Sequence, residues 1–241
     1  MSPRTSGWIM KQTWEDLLFL HWSVDRYWLQ SMLPPQLEVD TFEGEAWIGI
    51  VPFEMNQIRF RGLPSVPFAS KLLELNVRTY VKYGQKRGVY FFSLDASHRA
   101  GVMMARNLFH LPYLQAKMGK KSDGKQISFW SSRTHKGVEK ADYHIIYEPL
   151  GTSYEARNGD LDFWLTERDR LFIVRGNKVF QGKIKHDRWP LQKVAVAVLR
   201  DTLSHPYHYS DQVVTHFSKK VTTYLWPFEN VTQTGKPLHI K

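Results

Sequence analysis

The sequence predicts a mainly β, α+β chain in which an antiparallel sheet closes into a barrel or sandwich, with a few peripheral helices. Three observations carry this expectation. Short apolar runs separated by turn residues recur along the 241 residues, and stretches with helical spacing are few. The run Leu73-Glu-Leu-Asn-Val-Arg-Thr-Tyr-Val81 alternates with the two-residue period of a strand. Leu75, Val77, Thr79 and Val81 then share one face, and Glu74, Asn76, Arg78 and Tyr80 share the other.

From the N-terminus, Trp14, Leu17, Leu18, Trp22, Tyr27, Leu29 and Met32 follow roughly helical spacing and predict a helix over 13–33. Pro34-Pro35 stops it. Residues 40–44 read as a turn and 46–53 as a strand; Pro64 and Pro67 break the connection that follows. Strands over 72–82 and 88–96 flank a tight turn at Gly84. A helix over 97–109 takes Ser97 as its N-cap and ends before Pro112. A polar loop over 119–124 leads to strands over 126–134 and 141–147. A short helix over 160–167 precedes a hairpin, 170–175 and 178–185, that turns at Gly176-Asn177. Extended segments over 192–199 and 215–225 complete the set, although 191–201 also suits a helix. Many strands and few helices imply an antiparallel β architecture, one closed barrel or sandwich with peripheral helices. No repeat or linker divides the chain, so a single domain over 1–241 is expected.

Hydrophobic residues make up 42% and aromatics 14%, which excludes a disordered chain. The longest apolar stretches, such as 194–199, are too short to span a bilayer, so no membrane partner is expected. Residues 1–11 lack the apolar core of a secretory signal. Without cysteine there is no disulfide, thiolate metal site or cysteine nucleophile, and a cytoplasmic location follows. The net charge of +10 invites a nucleic-acid partner. However, the basic residues are scattered, with local clusters at 117–125 and at Lys219-Lys220, and no nucleic-acid-binding motif accompanies them. A solvated surface accounts for them more simply. A homo-oligomer stays open.

No Gly-rich phosphate loop, dinucleotide fingerprint or Gly-x-Ser-x-Gly elbow is present, and no cofactor is expected. His205-Pro-Tyr-His208 and the isolated His186 are the metal-ligand candidates; Pro206 breaks the regular helix such a pair would need, and no metal is expected. The charges of Thr166-Glu-Arg-Asp-Arg170 read as a solvated corner, and His186-Asp-Arg-Trp-Pro-Leu-Gln192 as a packed strand end. The polar face of the Glu74 strand has two readings: an exposed sheet face carrying a cross-strand ion pair, or the lining of a wet cavity.

Several segments in combination resemble a family. Leu33-Pro-Pro-x-Leu37, Asp40-Thr-Phe-x-Gly44, Ala46-Trp-Ile-Gly-Ile-Val-Pro-Phe53, Glu74-x-Asn-Val-Arg-Thr-Tyr80, Gly88-Val-x-Phe-Phe-Ser-Leu-Asp95, Leu165-Thr-Glu-Arg168 and Trp189-Pro-Leu-Gln192 resemble the YqjF-like family of bacterial proteins in order and spacing, over nearly the whole chain. That family is in turn similar in fold to acetoacetate decarboxylase. The resemblance implies a cone-shaped antiparallel barrel enclosing a cavity. Acetoacetate decarboxylases form a Schiff base between a lysine and a β-keto acid, and the nucleophile is one of two adjacent lysines directly after a proline. Here the matching step is Leu111-Pro112-Tyr113-Leu114, so tyrosine and leucine stand where the lysines would be. Glu74 matches the glutamate of the family's cavity strand, and Arg106 precedes the proline step as an arginine does there. Lys117 would reach inward only by a shifted register; otherwise it belongs to a basic loop with Lys120 and Lys121.

The expectation is therefore a retained pocket with the imine chemistry lost: a barrel that binds a small organic acid or carbonyl compound. Arg78 and Arg106 would pair with the anion through their forked donors. Glu74 and Asn76 would orient it, and Tyr113 would close one wall. The alternatives are a lyase acting on a keto or enol acid, with Glu74, Lys117 or Tyr113 as its working group, and a nucleic-acid-binding protein.

Overall fold

The structure is a computed structural model that describes residues 7–64, 71–98, 102–103, 110–207 and 209–232. Its strands are β1 (Met10–Val24), β2 (Glu38–Val39), β3 (Ala46–Phe60), β4 (Lys71–Tyr83), β5 (Lys86–Ala96), β6 (Tyr113–Ser122), β7 (Ile127–Arg133), β8 (Asp142–Tyr154), β9 (Arg170–Arg175), β10 (Lys178–His186), β11 (Leu191–Asp201), β12 (Tyr209–Leu225) and β13 (Glu229–Asn230). Two short helices, α1 (Arg26–Ser31) and α2 (Leu161–Thr166), interrupt them. The mainly β class and the closed sheet are as expected. The pairings of β5 with β6 and with β9 are parallel, and the other described pairings are antiparallel.

The sheet closes on itself twice. One ring of nine strands runs β5-β6-β7-β8-β11-β12-β1-β3-β4 and back to β5. A second ring of seven runs β10-β9-β5-β4-β3-β1-β12 and back to β10. Two forked edges make this possible. The free edge of β5 pairs with β6 at Leu94–Ala96 and with β9 at Val89. The free edge of β12 pairs with β11 at Phe217 and Ser218, and with β10 at Thr223–Leu225. The strands β12, β1, β3, β4 and β5 thus form a wall between two chambers, and alternate residues of each strand look into different ones.

That wall corrects the helix expected over 13–33. The segment is strand β1 followed by the short α1, whose N-cap Asp25 accepts the Trp28 N–H at 2.7 Å. Leu18 and Leu20 are buried in the nine-stranded chamber with Ile48, Leu75, Phe129 and Ile145. Leu17 and Phe19 are buried on the other side with Val51, Phe53 and Met55. A strand apolar on both faces has no alternation to read, and its continuous run satisfies helical spacing as well. The helix expected over 97–109 falls largely outside the described residues.

The polar loop expected over 119–124 is also corrected: strand β6 continues to Ser122, and the turn is residues 123–126. Lys120 sits there with its ammonium 2.6 Å from Asp16 and 2.5 Å from Glu54. Lys219 reaches Asp16 at 2.6 Å, and the Tyr147 hydroxyl donates to the Asp16 carbonyl at 2.9 Å. These ionic groups close the end of the nine-stranded chamber. Asp95, on the same face as Leu75, is held by Arg133 at 2.9 Å.

Candidate functional site

The seven-stranded ring is incompletely filled. It encloses a cavity of about 80 Å³, room for several waters or one molecule of a few heavy atoms. Aromatic and aliphatic side chains from β1, β3 and β5 line most of it, among them Trp14, Phe19, Phe53 and Phe91. The polar groups come from β1 (Gln12), β4 (Glu74, Asn76, Arg78), the start of β6 (Tyr113), the end of α2 and the residues after it (Thr166, Arg168), the start of β9 (Arg170) and the end of β10 (His186).

Alternation along β4 places Glu74, Asn76 and Arg78 on the cavity side while Leu75 and Val77 enter the opposite core. The Tyr113 hydroxyl donates to Glu74 Oε2 at 2.7 Å, and Asn76 Nδ2 makes a longer contact with Oε1 at 3.4 Å. Burial pushes the Glu74 carboxyl up to about 7 against these two donors. The Tyr113 phenol is driven well above its ordinary value, first by burial and then by the neighbouring Glu74.

Arg78 is the next group along the strand. Its Nη2 donates to the Leu165 carbonyl at 3.5 Å, its guanidinium lies 5.5 Å from the Phe19 ring centre, and its buried Nε has no hydrogen-bond partner among the described residues. No described carboxylate lies within ion-pair distance of it. Its cross-strand neighbour is Gly49, where a Cβ would stand only 2.9 Å from His21 Cδ2, so this position leaves room for the His21 ring beside Arg78. His21 is fully buried behind this point, with Nε2 2.8 Å from the Tyr80 hydroxyl. Burial, then the positive charge of Arg78, hold its ring well below the usual histidine range.

The other two arginines have partners. Arg168 pairs with buried Asp40 at 2.8 Å, donates to the Trp164 carbonyl at 2.8 Å and stacks 4.2 Å from the Trp164 ring centre. Arg170 pairs with Asp169 at 3.1 Å. His186 Nδ1 lies 2.7 Å from the Asp187 carbonyl, and its ring packs 4.5 Å from that of Trp189.

The sequence expectations are sorted accordingly. Glu74, Asn76, Arg78 and Tyr113 come together in one cavity. Of the two residues after Pro112, Tyr113 lines it, whereas Leu114 pairs with Asp95 and is absent from its lining. Lys117 is exposed on β6 opposite Ser132, and no lysine stands among the described lining residues. Arg106 lies outside the described residues. The charged run at 166–170 is only in part a solvated corner: Asp169 is exposed, but the Arg168 side chain is 7% exposed and paired with Asp40, 128 residues earlier. Gln12, Thr166, Arg168, Arg170 and His186 are the polar lining residues that pattern alone missed. For Arg168 and Arg170 the local signal was a charged run between two apolar segments, which says nothing about a buried counter-ion. His205 is exposed, and His208 lies outside the described residues.

A family model designated DUF2071, "Uncharacterized conserved protein", matches residues 11–222. The chain belongs to the DUF2071 family. This DUF2071 chain is 41% identical over 223 residues to "Uncharacterized protein YqjF" of Bacillus subtilis (strain 168), covering 91% of each. Among solved structures it is similar to the enduracididine biosynthesis enzyme MppR complexed with pyruvate, with a TM-score of 0.64 at 9% identity over 95% of this chain and 92% of that one. An acetoacetate decarboxylase-like enzyme from Sphingomonas wittichii RW1 matches with a TM-score of 0.64 at 11% identity, covering 94% of each. These likenesses show that the DUF2071 chain has an acetoacetate decarboxylase-like fold. No helix among its described residues is long and apolar enough to cross a membrane.

Proposed function

We propose that the cavity binds a small organic monoanion that also carries a carbonyl group, with Arg78 receiving the carboxylate, Glu74 and Asn76 orienting the ligand and Tyr113 closing one wall. The observation that carries this is the state of Arg78. Arg168 and Arg170 each face an aspartate, and Glu74 keeps its proton up to about pH 7. One guanidinium beside the cavity is thus left without a counter-charge among the described residues. A charge withdrawn from water is costly unless paired, and a bound carboxylate would supply the pair through two parallel hydrogen bonds. The protonated Glu74 can in turn donate to a carbonyl oxygen. Pyruvate, the ligand of the similar MppR structure, has the right size and charge to serve as a probe.

Thermal unfolding in the presence of pyruvate, 2-oxobutyrate and the neutral analogue acetone tests this. The two acids should raise the midpoint with concentration, acetone should not, and Arg78→Met should abolish the shift. Failure of both acids to stabilise the protein would remove the proposal. Because no lysine stands among the described lining residues, borohydride in the presence of pyruvate is expected to leave no covalent adduct.

A nucleic-acid partner has less support. Within the two basic clusters Lys120, Lys125, Lys219 and Lys220 each hold a carboxylate of the chain itself. Much of that charge is already compensated.

A further inference from the structure

We infer that the cavity also performs proton transfer on its ligand, enolising a 2-oxo acid: His186 removes a proton from the carbon beside the carbonyl while Glu74, held by Tyr113, protonates the carbonyl oxygen. This rests on the binding proposed above and adds a reaction to it.

The geometry of His186 sets its role. The Asp187 carbonyl 2.7 Å from Nδ1 can only accept, so Nδ1 carries the hydrogen. In the neutral ring the lone pair is then on Nε2, which no described residue hydrogen-bonds, and the side chain lines the cavity. Burial, opposed by the Asp187 carbonyl and by Glu167 but joined by the charge of Arg78, holds the ring below its ordinary value and so in the basic form. The Trp189 ring packed on it fixes its plane.

The acid stands across the chamber. In the seven-stranded ring, β10 and β4 are separated by two strands one way and three the other, so His186 and Glu74 come from facing walls. Tyr113 occupies Oε2 of Glu74 at 2.7 Å, whereas Oε1 has only the 3.4 Å contact with Asn76 and is free to carry the acid proton. Arg78, Glu74 and His186 line one cavity, so a ligand seated by its carboxylate on Arg78 is offered both the acid and the base.

The step balances without a further reagent. The C–H pair becomes the new C=C bond as its proton goes to Nε2. The carbonyl π pair takes the Glu74 proton as a new O–H bond. Reversal regenerates the keto acid, and a proton exchanged with solvent on the imidazolium is returned to carbon.

Deuterium incorporation into the pyruvate methyl group, followed by proton NMR in deuterium oxide, tests the inference, with saturation transfer in the same sample reporting binding. The wild type should bind pyruvate and accelerate exchange at least ~10²-fold over protein-free buffer, the low end for a positioned acid or base. His186→Gln should lose about that factor, and Glu74→Gln should do the same, so that either variant suffices should the other not fold. Tyr113→Phe should show a smaller loss, because its effect is to position Glu74. Binding without acceleration, or acceleration undiminished by both substitutions, would overturn proton transfer and leave the binding proposal standing. Neither binding nor exchange would overturn both.

Discussion

The two chambers share a wall of five strands, yet they treat charge in opposite ways. In the nine-stranded ring the interior is packed with aliphatic and aromatic side chains, and its ionic groups are paired: Lys120 with Asp16 and Glu54, Lys219 with Asp16, and Arg133 with Asp95. In the seven-stranded ring a cavity is left open, and one of its three arginines lacks a counter-ion among the described residues. The same backbone therefore carries a structural interior on one side and a receptive one on the other. What separates a structural charge from a candidate functional one here is whether its partner belongs to the chain.

The comparison can be broken most forcefully by emptying the packed side. Phe129→Ala removes a fully buried ring from the nine-stranded chamber, and chemical denaturation should record a loss of about 3–5 kcal/mol. Next comes the buried acid on the receptive side. The unfolded chain releases the Glu74 proton near 4.5 and the folded one near 7. The folded state thus holds the extra proton between those values. Its stabilising contribution is complete below 4.5 and declines as pH rises to about 7. Glu74→Gln should flatten this part of the stability–pH profile, an effect on the order of 3 kcal/mol at its upper end. Asp95, raised to about 6, contributes a slope of the same sign that should persist in the variant.

Charge removal sharpens the contrast further. Lys120→Met strips the main partner from Asp16 and Glu54 and should cost about 2–3 kcal/mol in denaturation, below the ~3–5 of a fully buried pair because Lys219 still reaches Asp16. Arg78→Met should alter the stability of the unliganded protein least, by under about 1 kcal/mol or in the stabilising direction, since it deletes a cation that lacks a counter-ion among the described residues. A large destabilisation by Arg78→Met, equal to that of Lys120→Met, would show that the two chambers do not differ in this respect.

Legibility followed the range of the interactions. The alternation of Glu74-Leu-Asn-Val-Arg78 is a local property, and it identified a polar face without saying what that face meets. The hairpin of β9 and β10 was equally readable, because Gly176 supplies the positive φ that its two-residue turn requires. Strand β1 was misread because both of its faces are buried, and its sheet neighbour β12 is as distant in sequence as Met10 from Leu225. Arg168 was misread because its counter-ion, Asp40, is equally invisible to neighbouring sequence.

The β class, the polar face of β4 and the lack of lysine at the two positions directly after Pro112 can be read from residue order alone, since each follows from residue type and a period of two along an extended chain. That the sheet closes twice, which chamber each face looks into and which arginine lacks a counter-ion among the described residues emerge only in three dimensions. Those outcomes arise where β5 and β12 fork and where side chains from distant strands meet. The free energy of a buried charge depends on what stands opposite it, and no local pattern records that.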